Sequence, residues 1–227
     1  MVIRLAVLDM AGTTVLDDGL VMNAFGAALG WEPMGEQVAY VVETMGRSKI
    51  EVFRHLYDGD EAEAQAATGR FEDAVERAVR AGKVAEVPGA GEALRSLRQS
   101  GVKVALSTGF SPRTQSAILD VLQWATLVDL AVAPGPLLRG RPYPDLVFEA
   151  IMRCGVDGVD EVAVVGDTAN DLMAGSRAGA RIVAGVLTGA HTRDQLERAP
   201  HTHILESILE LPSVVQHTQP LRTADDK

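Results

Sequence analysis

Five short apolar runs recur along the chain, and each is followed by turn residues and then by an amphipathic segment of helical length. Continuously apolar runs are typical of parallel strands that are buried on both faces. Their alternation with helices predicts an α/β fold, a Rossmann-like doubly wound parallel sheet with right-handed crossovers. The predicted strands cover residues 2–8, 102–106, 127–132, 161–165 and 181–186, and the predicted helices cover residues 89–100, 112–123, 144–154, 168–178 and 193–198.

One region interrupts this alternation. Residues 17–86 contain no β-branched run and are dominated by Ala, Glu, Arg and Leu, which predicts an inserted, all-helical cap domain of four or five helices. The α/β core is then discontinuous, formed by residues 1–16 and 87–227. The cap would lie over the carboxyl ends of the strands, where open α/β sheets bind ligands, with hinges near Asp17 and Val87. Residues 216–227 are predicted to form a frayed tail.

Composition narrows the range of partners. A formal net charge of −10 argues against a nucleic-acid interface, which needs clustered Lys and Arg. No apolar run approaches the roughly 20 residues that cross a bilayer, so no membrane partner is expected. The start of the chain lacks the features of a signal peptide, and the single cysteine, Cys154, cannot form an internal disulfide, so we expect a cytoplasmic protein. A small anion can still bind where a metal and a few cations are focused in one cleft.

Acidic and hydroxyl side chains follow three of the predicted strands. Asp9 ends the first strand, Ser107 ends the second, and Asp167 follows the fourth, with Asp171 four residues later. Because the carboxyl ends of parallel strands meet at one edge of a sheet, we expect these side chains to converge. Carboxylate oxygens are ligands that Mg²⁺ prefers, so the sequence predicts a magnesium site at this edge.

Two turns at the same edge predict a phosphate cradle. The N–H groups of residues 12–14 (Gly-Thr-Thr) and 107–109 (Ser-Thr-Gly) can hold an anion. No lysine lies between residues 107 and 160, so the candidate cation is an arginine. Arg141 is favoured because neighbouring prolines stiffen its loop, and Arg139 is its nearest competitor. Each piece alone is typical of a turn or a helix cap, and only the ordered set indicates a site.

This ordered set resembles the haloacid dehalogenase superfamily, whose pattern is a nucleophilic Asp, a Ser or Thr, a Lys or Arg, and an acidic metal pair. Within it, the chain resembles the phosphonoacetaldehyde hydrolase (phosphonatase) branch over most of its length. The matching stretches are residues 9–14 (DMAGTT), 45–49 (MGRSK), 107–109 (STG), 140–144 (GRPYP) and 165–168 (VGDT).

The resemblance implies particular roles. Asp9, Lys49, Ser107 and Arg141 would be catalytic. Mg²⁺ would be held by Asp9, the carbonyl of Ala11, Asp167 and Asp171. The substrate, a small phosphonate or phosphate, would contact Gly12, Thr13, Met45, Gly46, Thr108 and Gly109. The resemblance also implies a homodimer formed through the cap.

The residue type at position 11 affects which reaction the protein can catalyse. Superfamily phosphatases usually carry there a second Asp that protonates the leaving alkoxide, and Ala11 cannot do so. Phosphonatases instead use a lysine that forms an imine with the substrate aldehyde, so that C–P cleavage expels an enamine. Ser48 and Glu51 form a capping-box pattern that makes Lys49 the first residue of a helix. There, the positive helix end and Arg47 would disfavour the ammonium form of Lys49.

The chain departs from the phosphonatase pattern close to this lysine. Val52 stands where the pattern has a histidine, and His55 lies one turn further on. The cap is shorter, and residues 18–21 lack the cysteine of the family pattern. These departures leave open whether the substrate is a phosphonate aldehyde or another phosphonate or phosphate ester.

Three functions are therefore considered. The first is hydrolysis of the C–P bond of a phosphonate aldehyde such as phosphonoacetaldehyde, which yields acetaldehyde and phosphate. The alternative is a phosphomonoester phosphatase or sugar-phosphate mutase, in which Arg47 and Lys49 only bind substrate and Asp17 or Asp18 replaces the acid missing at position 11. The third is a non-catalytic binding protein that has kept the fold.

Overall fold

A six-stranded parallel sheet forms the centre of the structure, a computed structural model that describes residues 2–30 and 35–218. The strands are β1 (Leu5–Asp9), β2 (Lys103–Ser107), β3 (Leu130–Val132), β4 (Val162–Gly166), β5 (Ile182–Val186) and β6 (His203–Leu205). Their order is β3-β2-β1-β4-β5-β6, with every neighbouring pair parallel. The five predicted strands are confirmed. The sixth, β6, was not predicted because a three-residue strand that begins with His carries no apolar run.

The sheet is covered on both faces. In β1, Ala6 and Leu8 belong to one buried apolar cluster, whereas Leu5 and Val7 belong to another. Because successive side chains of a strand point to opposite faces, these two clusters lie on opposite sides of the sheet. All five residues of β1 are buried, which is why its sequence is continuously apolar up to Asp9. The doubly wound α/β fold is thus confirmed.

The described residues form ten α-helices. They are α1 (Leu20–Leu29), α2 (Glu36–Glu43), α3 (Lys49–Leu56), α4 (Glu61–Arg80), α5 (Ala90–Gln99), α6 (Pro112–Leu122), α7 (Asp145–Cys154), α8 (Ala169–Ala178), α9 (Arg193–Glu197) and α10 (Leu211–Thr218). The five helices predicted for the core, α5 to α9, are confirmed to within one residue at each end. Residues 216–218 of the predicted tail belong instead to α10, whose Leu211 and Val215 are buried; residues 219–227 lie outside the described residues.

Helices α1 to α4 occupy the described part of residues 17–86, which we call the cap. The rings of Phe25, Phe53 and Phe71 pack together at its centre, with centroids 4.9 to 6.1 Å apart. The chain enters and leaves the cap through adjacent segments, because Leu16 N donates to Ala85 O at 2.9 Å. A short paired connection of this kind fits the expected hinges, and the division into two domains stays a prediction. No helix within the described ranges is long and apolar enough to span a bilayer.

Candidate active site

Three carboxylates meet at the carboxyl edge of the sheet. Asp9 ends β1 opposite Ser107 of β2, Asp167 directly follows β4, and Asp171 lies in the first turn of α8. All three acids are buried, and one oxygen of each lies within 4.8 Å of the others. The parallel order of the strands therefore brings together residues that are more than 150 positions apart in the sequence.

Arg141 is the cation that the structure places among these acids. Its Nη1 atom donates to Asp9 Oδ1 at 2.6 Å and also contacts Asp171 Oδ1. Its Nε atom is buried and has no hydrogen-bond partner within the described part of the chain, so the guanidinium keeps a donor for an anion. The competing Arg139 lies away from the acids, paired with Asp145 at 2.8 Å.

The charges of the site favour a bound cation. Burial raises the pKa of Asp9 to about 6, although Arg141 partly offsets it. Burial also raises the pKa of Asp167 well above its usual value, and the charges of Asp9 and Asp171 add to this effect. Three buried carboxylates facing one guanidinium carry excess negative charge, which a divalent metal would neutralise. Oxygen ligands of this kind fit Mg²⁺.

Asp167 and Asp171 are held in place by their neighbours. Asp167 accepts a hydrogen bond from Ala190 N at 2.7 Å, and Asp171 accepts one from Thr168 N at 3.1 Å. Gly12 has a φ of +86°, and a Cβ at this position would overlap the carboxylate of Asp167. Glycine is therefore required at position 12 both by the backbone conformation and by the close approach.

The predicted phosphate cradle at residues 12–14 is wrong. The N–H groups of these residues donate within the turn, to the carbonyls of Val15 and Met10, at 2.7 to 3.1 Å. The Thr13 side chain is fully buried and donates to Asp167 Oδ1 at 3.5 Å, so it supports an acid rather than lining the cavity. The prediction failed because the N–H groups of this tight turn donate to carbonyls of the same turn. The sequence alone does not show this.

A narrow cavity of about 20 Å³, room for about one water molecule, lies between the sheet edge and the cap. Of the predicted site residues, the core contributes Asp9, Ala11, Thr108, Gly109, Arg141 and Asp167 to its wall, and the cap contributes Met45, Gly46 and Lys49. Gly12, Thr13, Ser107 and Asp171 lie outside this lining. Ser107 is buried beside Asp9 in the sheet.

Lys49 begins α3, as predicted, and only 6% of the residue is exposed. Its Nζ atom lies 5.5 Å from the ring centre of Phe25, 5.6 Å from that of Phe71 and 5.9 Å from that of Phe110. Burial among these rings is the main reason that the pKa of Lys49 falls to about 8, and the charge of Arg141 lowers it further. A substantial fraction of this amine is therefore neutral near physiological pH.

Two expectations about the surroundings of Lys49 are corrected. Arg47 is not the neighbouring charge that lowers the pKa, because Arg141 has this role and the Arg47 side chain turns to Asn170, whose Oδ1 accepts from Nε at 3.3 Å. The capping box at Ser48 does not form, since the side chain of Ser48 makes no capping hydrogen bond. The apolar surroundings of Lys49 come instead from residues distant in sequence.

The structure also distinguishes between the residues that were considered as replacements for the missing acid at position 11 and the missing histidine at position 52. Val52 is buried in the apolar core, and the exposed His55 stacks on Tyr40, with ring centres 3.9 Å apart, outside the cavity lining. Asp18 is exposed and lines a different groove of the cap. Asp17, in contrast, lines the cavity with Lys49. Asp17 is thus the hinge acid with access to the site.

A contact between core and cap was missed in the sequence. The buried Asn170 donates from Nδ2 to Met45 O at 2.8 Å, in addition to accepting from Arg47. A Cβ on Gly109 would overlap the carbonyl of Arg47, so glycine allows residues 43–48, which we call the docking loop, to approach the core. An Asn in the first turn of a helix normally suggests capping, so the sequence carried no signal for this contact.

Comparison with known proteins agrees with this geometry. Residues 3–179 match the haloacid dehalogenase-like hydrolases, and the chain belongs to this family of hydrolases. The predicted superfamily is thereby confirmed.

Two related proteins and one solved structure are similar to this chain over different fractions of its length. The phosphonoacetaldehyde hydrolase of Bacillus cereus is 30% identical over 233 residues, covering 92% of this chain and 86% of that protein. The probable phosphatase IndB of Dickeya dadantii is 31% identical over 124 residues, or 55% of this chain and 53% of IndB, so that this match spans about half of IndB. The structure of a phosphonoacetaldehyde hydrolase-like protein from Oleispira antarctica superposes with a TM-score of 0.81 at 23% identity, covering 95% of this chain and 92% of that one.

Proposed function

We propose that this protein hydrolyses the C–P bond of a phosphonate aldehyde such as phosphonoacetaldehyde, yielding acetaldehyde and phosphate. The observation that carries the proposal is the buried Lys49, whose lowered pKa leaves a nucleophilic amine in the same cavity as Asp9. The relationship to the phosphonoacetaldehyde hydrolase of Bacillus cereus supports the same reaction.

The proposed reaction begins at the aldehyde. The amine of Lys49 attacks the carbonyl carbon, and loss of water leaves a protonated imine. Asp9 then attacks phosphorus, the C–P bond breaks, and its electron pair moves toward the imine to form an enamine. The enamine takes a proton on carbon, and water hydrolyses the resulting imine to release acetaldehyde. A second water cleaves the phosphate from Asp9.

The remaining residues stabilise charge at phosphorus. Arg141 keeps an unpaired Nε donor beside Asp9, and this donor can neutralise a phosphoryl oxygen during transfer. Asp9, Asp167 and Asp171, together with the Ala11 carbonyl, would hold Mg²⁺, which would supply further positive charge there.

Ala11 is compatible with this reaction. An enamine leaves with its charge neutralised by the imine nitrogen, so no acid is needed at position 11 to protonate an alkoxide. Ala11 lines the cavity together with Asp9.

The cavity must open to admit a substrate. Its volume of about 20 Å³ holds about one water molecule, far less than the pockets of small-molecule ligands. The chain passes between core and cap beside the paired residues Leu16 and Ala85, so a hinge motion there would expose Lys49 and Asp9. Closure would then exclude water from the phosphoryl end.

A phosphomonoester phosphatase is the second candidate. The partial match to the probable phosphatase IndB favours it, and Asp17 lines the cavity where an acid could protonate a leaving alkoxide. In this case Lys49 only binds the substrate and forms no covalent bond. A sugar-phosphate mutase would use the same groups.

Trapping with borohydride separates the two candidates. The protein is incubated with Mg²⁺ and phosphonoacetaldehyde, borohydride is added, and peptides are analysed by mass spectrometry while phosphate release is assayed without borohydride. We expect a reduced adduct on Lys49, and loss of both adduct and phosphate release in Lys49→Arg. Lys83→Arg, which changes an exposed cap lysine, is the matched control. No adduct combined with turnover of phosphate monoesters would select the phosphatase.

We further propose a cytoplasmic homodimer that forms through the cap. The single cysteine and the phosphonatase resemblance support these two points. Light scattering of the purified protein would test the dimer.

A further inference from the structure

Imine formation requires a proton carrier in the cavity that holds the amine. Among the described residues, the ionisable side chains that line this cavity are Asp9, Asp17, Lys49, Arg141 and Asp167. Asp9 and Asp167 belong to the acidic cluster that faces phosphorus and the metal. Arg141 cannot give up its proton near neutral pH. By elimination, Asp17 is the remaining acid that can serve Lys49.

We infer that Asp17 is a catalytic residue that carries protons to and from the aldehyde carbon–nitrogen centre at Lys49, an inference that rests on the proposed function. It assigns a role that neither Val52, which is apolar, nor the exposed His55 can fill.

The position of Asp17 suits this role. Its Oδ1 atom accepts a hydrogen bond from Val21 N at 3.0 Å, which anchors the carboxylate to the start of α1. The preceding residue, Leu16, is fixed to Ala85 at the hinge by a hydrogen bond of 2.9 Å. Asp17 is therefore held at the junction of core and cap, where it lines the same cavity as Lys49.

The electrostatic surroundings support proton exchange between the two side chains. Burial raises the pKa of Asp17, and the hydrogen bond from Val21 and the charge of Lys49 offset this only in part. Burial lowers the pKa of Lys49. Because the two pKa values move toward each other, transferring a proton from the ammonium to the carboxylate costs less than it does in water.

The proton balance of imine formation is then complete. The ammonium of Lys49 gives one proton to Asp17, and the neutral amine attacks the aldehyde carbon as the C=O electron pair moves to oxygen. A proton moves from the new C–N nitrogen to this oxygen, which gives the carbinolamine. The acid form of Asp17 protonates the hydroxyl, the C–O bond breaks, and water leaves. The products are a protonated imine and the original carboxylate.

The inference is tested by the rate of imine formation. Wild type and Asp17→Asn are mixed rapidly with phosphonoacetaldehyde, quenched with borohydride at increasing times, and the adduct on Lys49 is measured by mass spectrometry. Asparagine keeps the hydrogen-bond acceptor for Val21 but can neither take up nor release a proton near neutral pH. We expect the same adduct to form about 100-fold more slowly or worse. The matched control is Asp18→Asn, which removes a neighbouring exposed carboxylate and should leave the rate unchanged.

A second variant separates proton transfer from folding. Asp17→Ala should trap the adduct slowly, and added formate should restore much of the rate, because a small carboxylic acid can replace the missing group. Circular dichroism confirms that each variant is folded. A slow Asp17→Ala that formate does not accelerate would assign Asp17 a structural role and overturn the inference.

The remaining outcomes are also distinct. Trapping in Asp17→Asn at the wild-type rate would overturn the inference while leaving the proposed function intact. Absence of an adduct on Lys49 in the wild type would overturn the proposed function, and the role of Asp17 would fall with it.

Discussion

The reactivity of Lys49 should rise with pH around a midpoint near 8. Burial moves the pKa of this amine from 10.5 to about 8, which corresponds to about 3 kcal/mol of free energy against the charged form. At pH 7, about one molecule in ten then carries the neutral amine, compared with about one in three thousand at the ordinary pKa. Access to the nucleophile at this pH is thus increased by a few hundredfold.

Reductive methylation measures how the fraction of neutral amine at Lys49 changes with pH. The protein is treated briefly with formaldehyde and cyanoborohydride between about pH 6 and pH 10, and the methylated fraction of Lys49 is read from peptide mass spectra. The exposed Lys83 in the same digest serves as the internal reference for reagent efficiency. We expect the labelling of Lys49 to rise about tenfold per pH unit below pH 8 and to level off above it. The labelling of an ordinary exposed lysine keeps rising to about pH 10, so the ratio of Lys49 labelling to the reference should be constant below pH 8 and fall above it. A midpoint at pH 10 or higher would refute the assigned environment of Lys49.

The same shift makes folding stability depend on pH. The folded pKa of Lys49 is lowered, so between about pH 8 and pH 10.5 the unfolded chain binds more protons than the folded one, and stability rises with pH across this window. Below pH 8 the buried ammonium costs up to about 3 kcal/mol. Lys49→Met should remove this cost, and urea denaturation at pH 7 should find it more stable than the wild type, whereas Lys83→Met should not be. A Lys49→Met variant of unchanged stability would contradict the argument.

Other perturbations address the closed state and the nucleophile. Asn170→Ala removes three hydrogen bonds to the docking loop, worth about 1 kcal/mol each, so closure should weaken by roughly a hundredfold and kcat should fall. An unchanged kcat would exclude the contact as a closure element. Gly109→Ala places a methyl group against the Arg47 carbonyl, so small-angle scattering should show a more open molecule with lower activity, and an unchanged profile would contradict the packing. Asp9→Asn should abolish phosphate release yet still give the borohydride adduct on Lys49, because the two bonds form at opposite ends of the substrate; loss of the adduct as well would contradict this separation.

Local patterns were enough for the elements of the core. The continuously apolar runs marked five strands, since burial on both faces demands apolar residues at every position. The short strand β6 was not predicted, because it is a strand through its pairing with β5 rather than through its own composition. The turn at residues 12–14 was wrongly predicted to bind an anion. Its N–H groups bond to carbonyls of the same loop, and these bonds depend on the folded conformation of the loop rather than on its composition.

The sequence by itself determined that acidic side chains meet at the carboxyl edge of the sheet. Once the strands are parallel, Asp9 and Asp167 must meet at their carboxyl ends, whatever the details of packing. Only the tertiary structure decided the chemistry of the cap side. The low pKa of Lys49 depends on Phe25, Phe71 and Phe110, which come from separate elements of the chain, and no local spacing links them. Burial depends on contacts between residues that are distant in sequence, so the reactivity of a side chain is fixed only when the fold is complete.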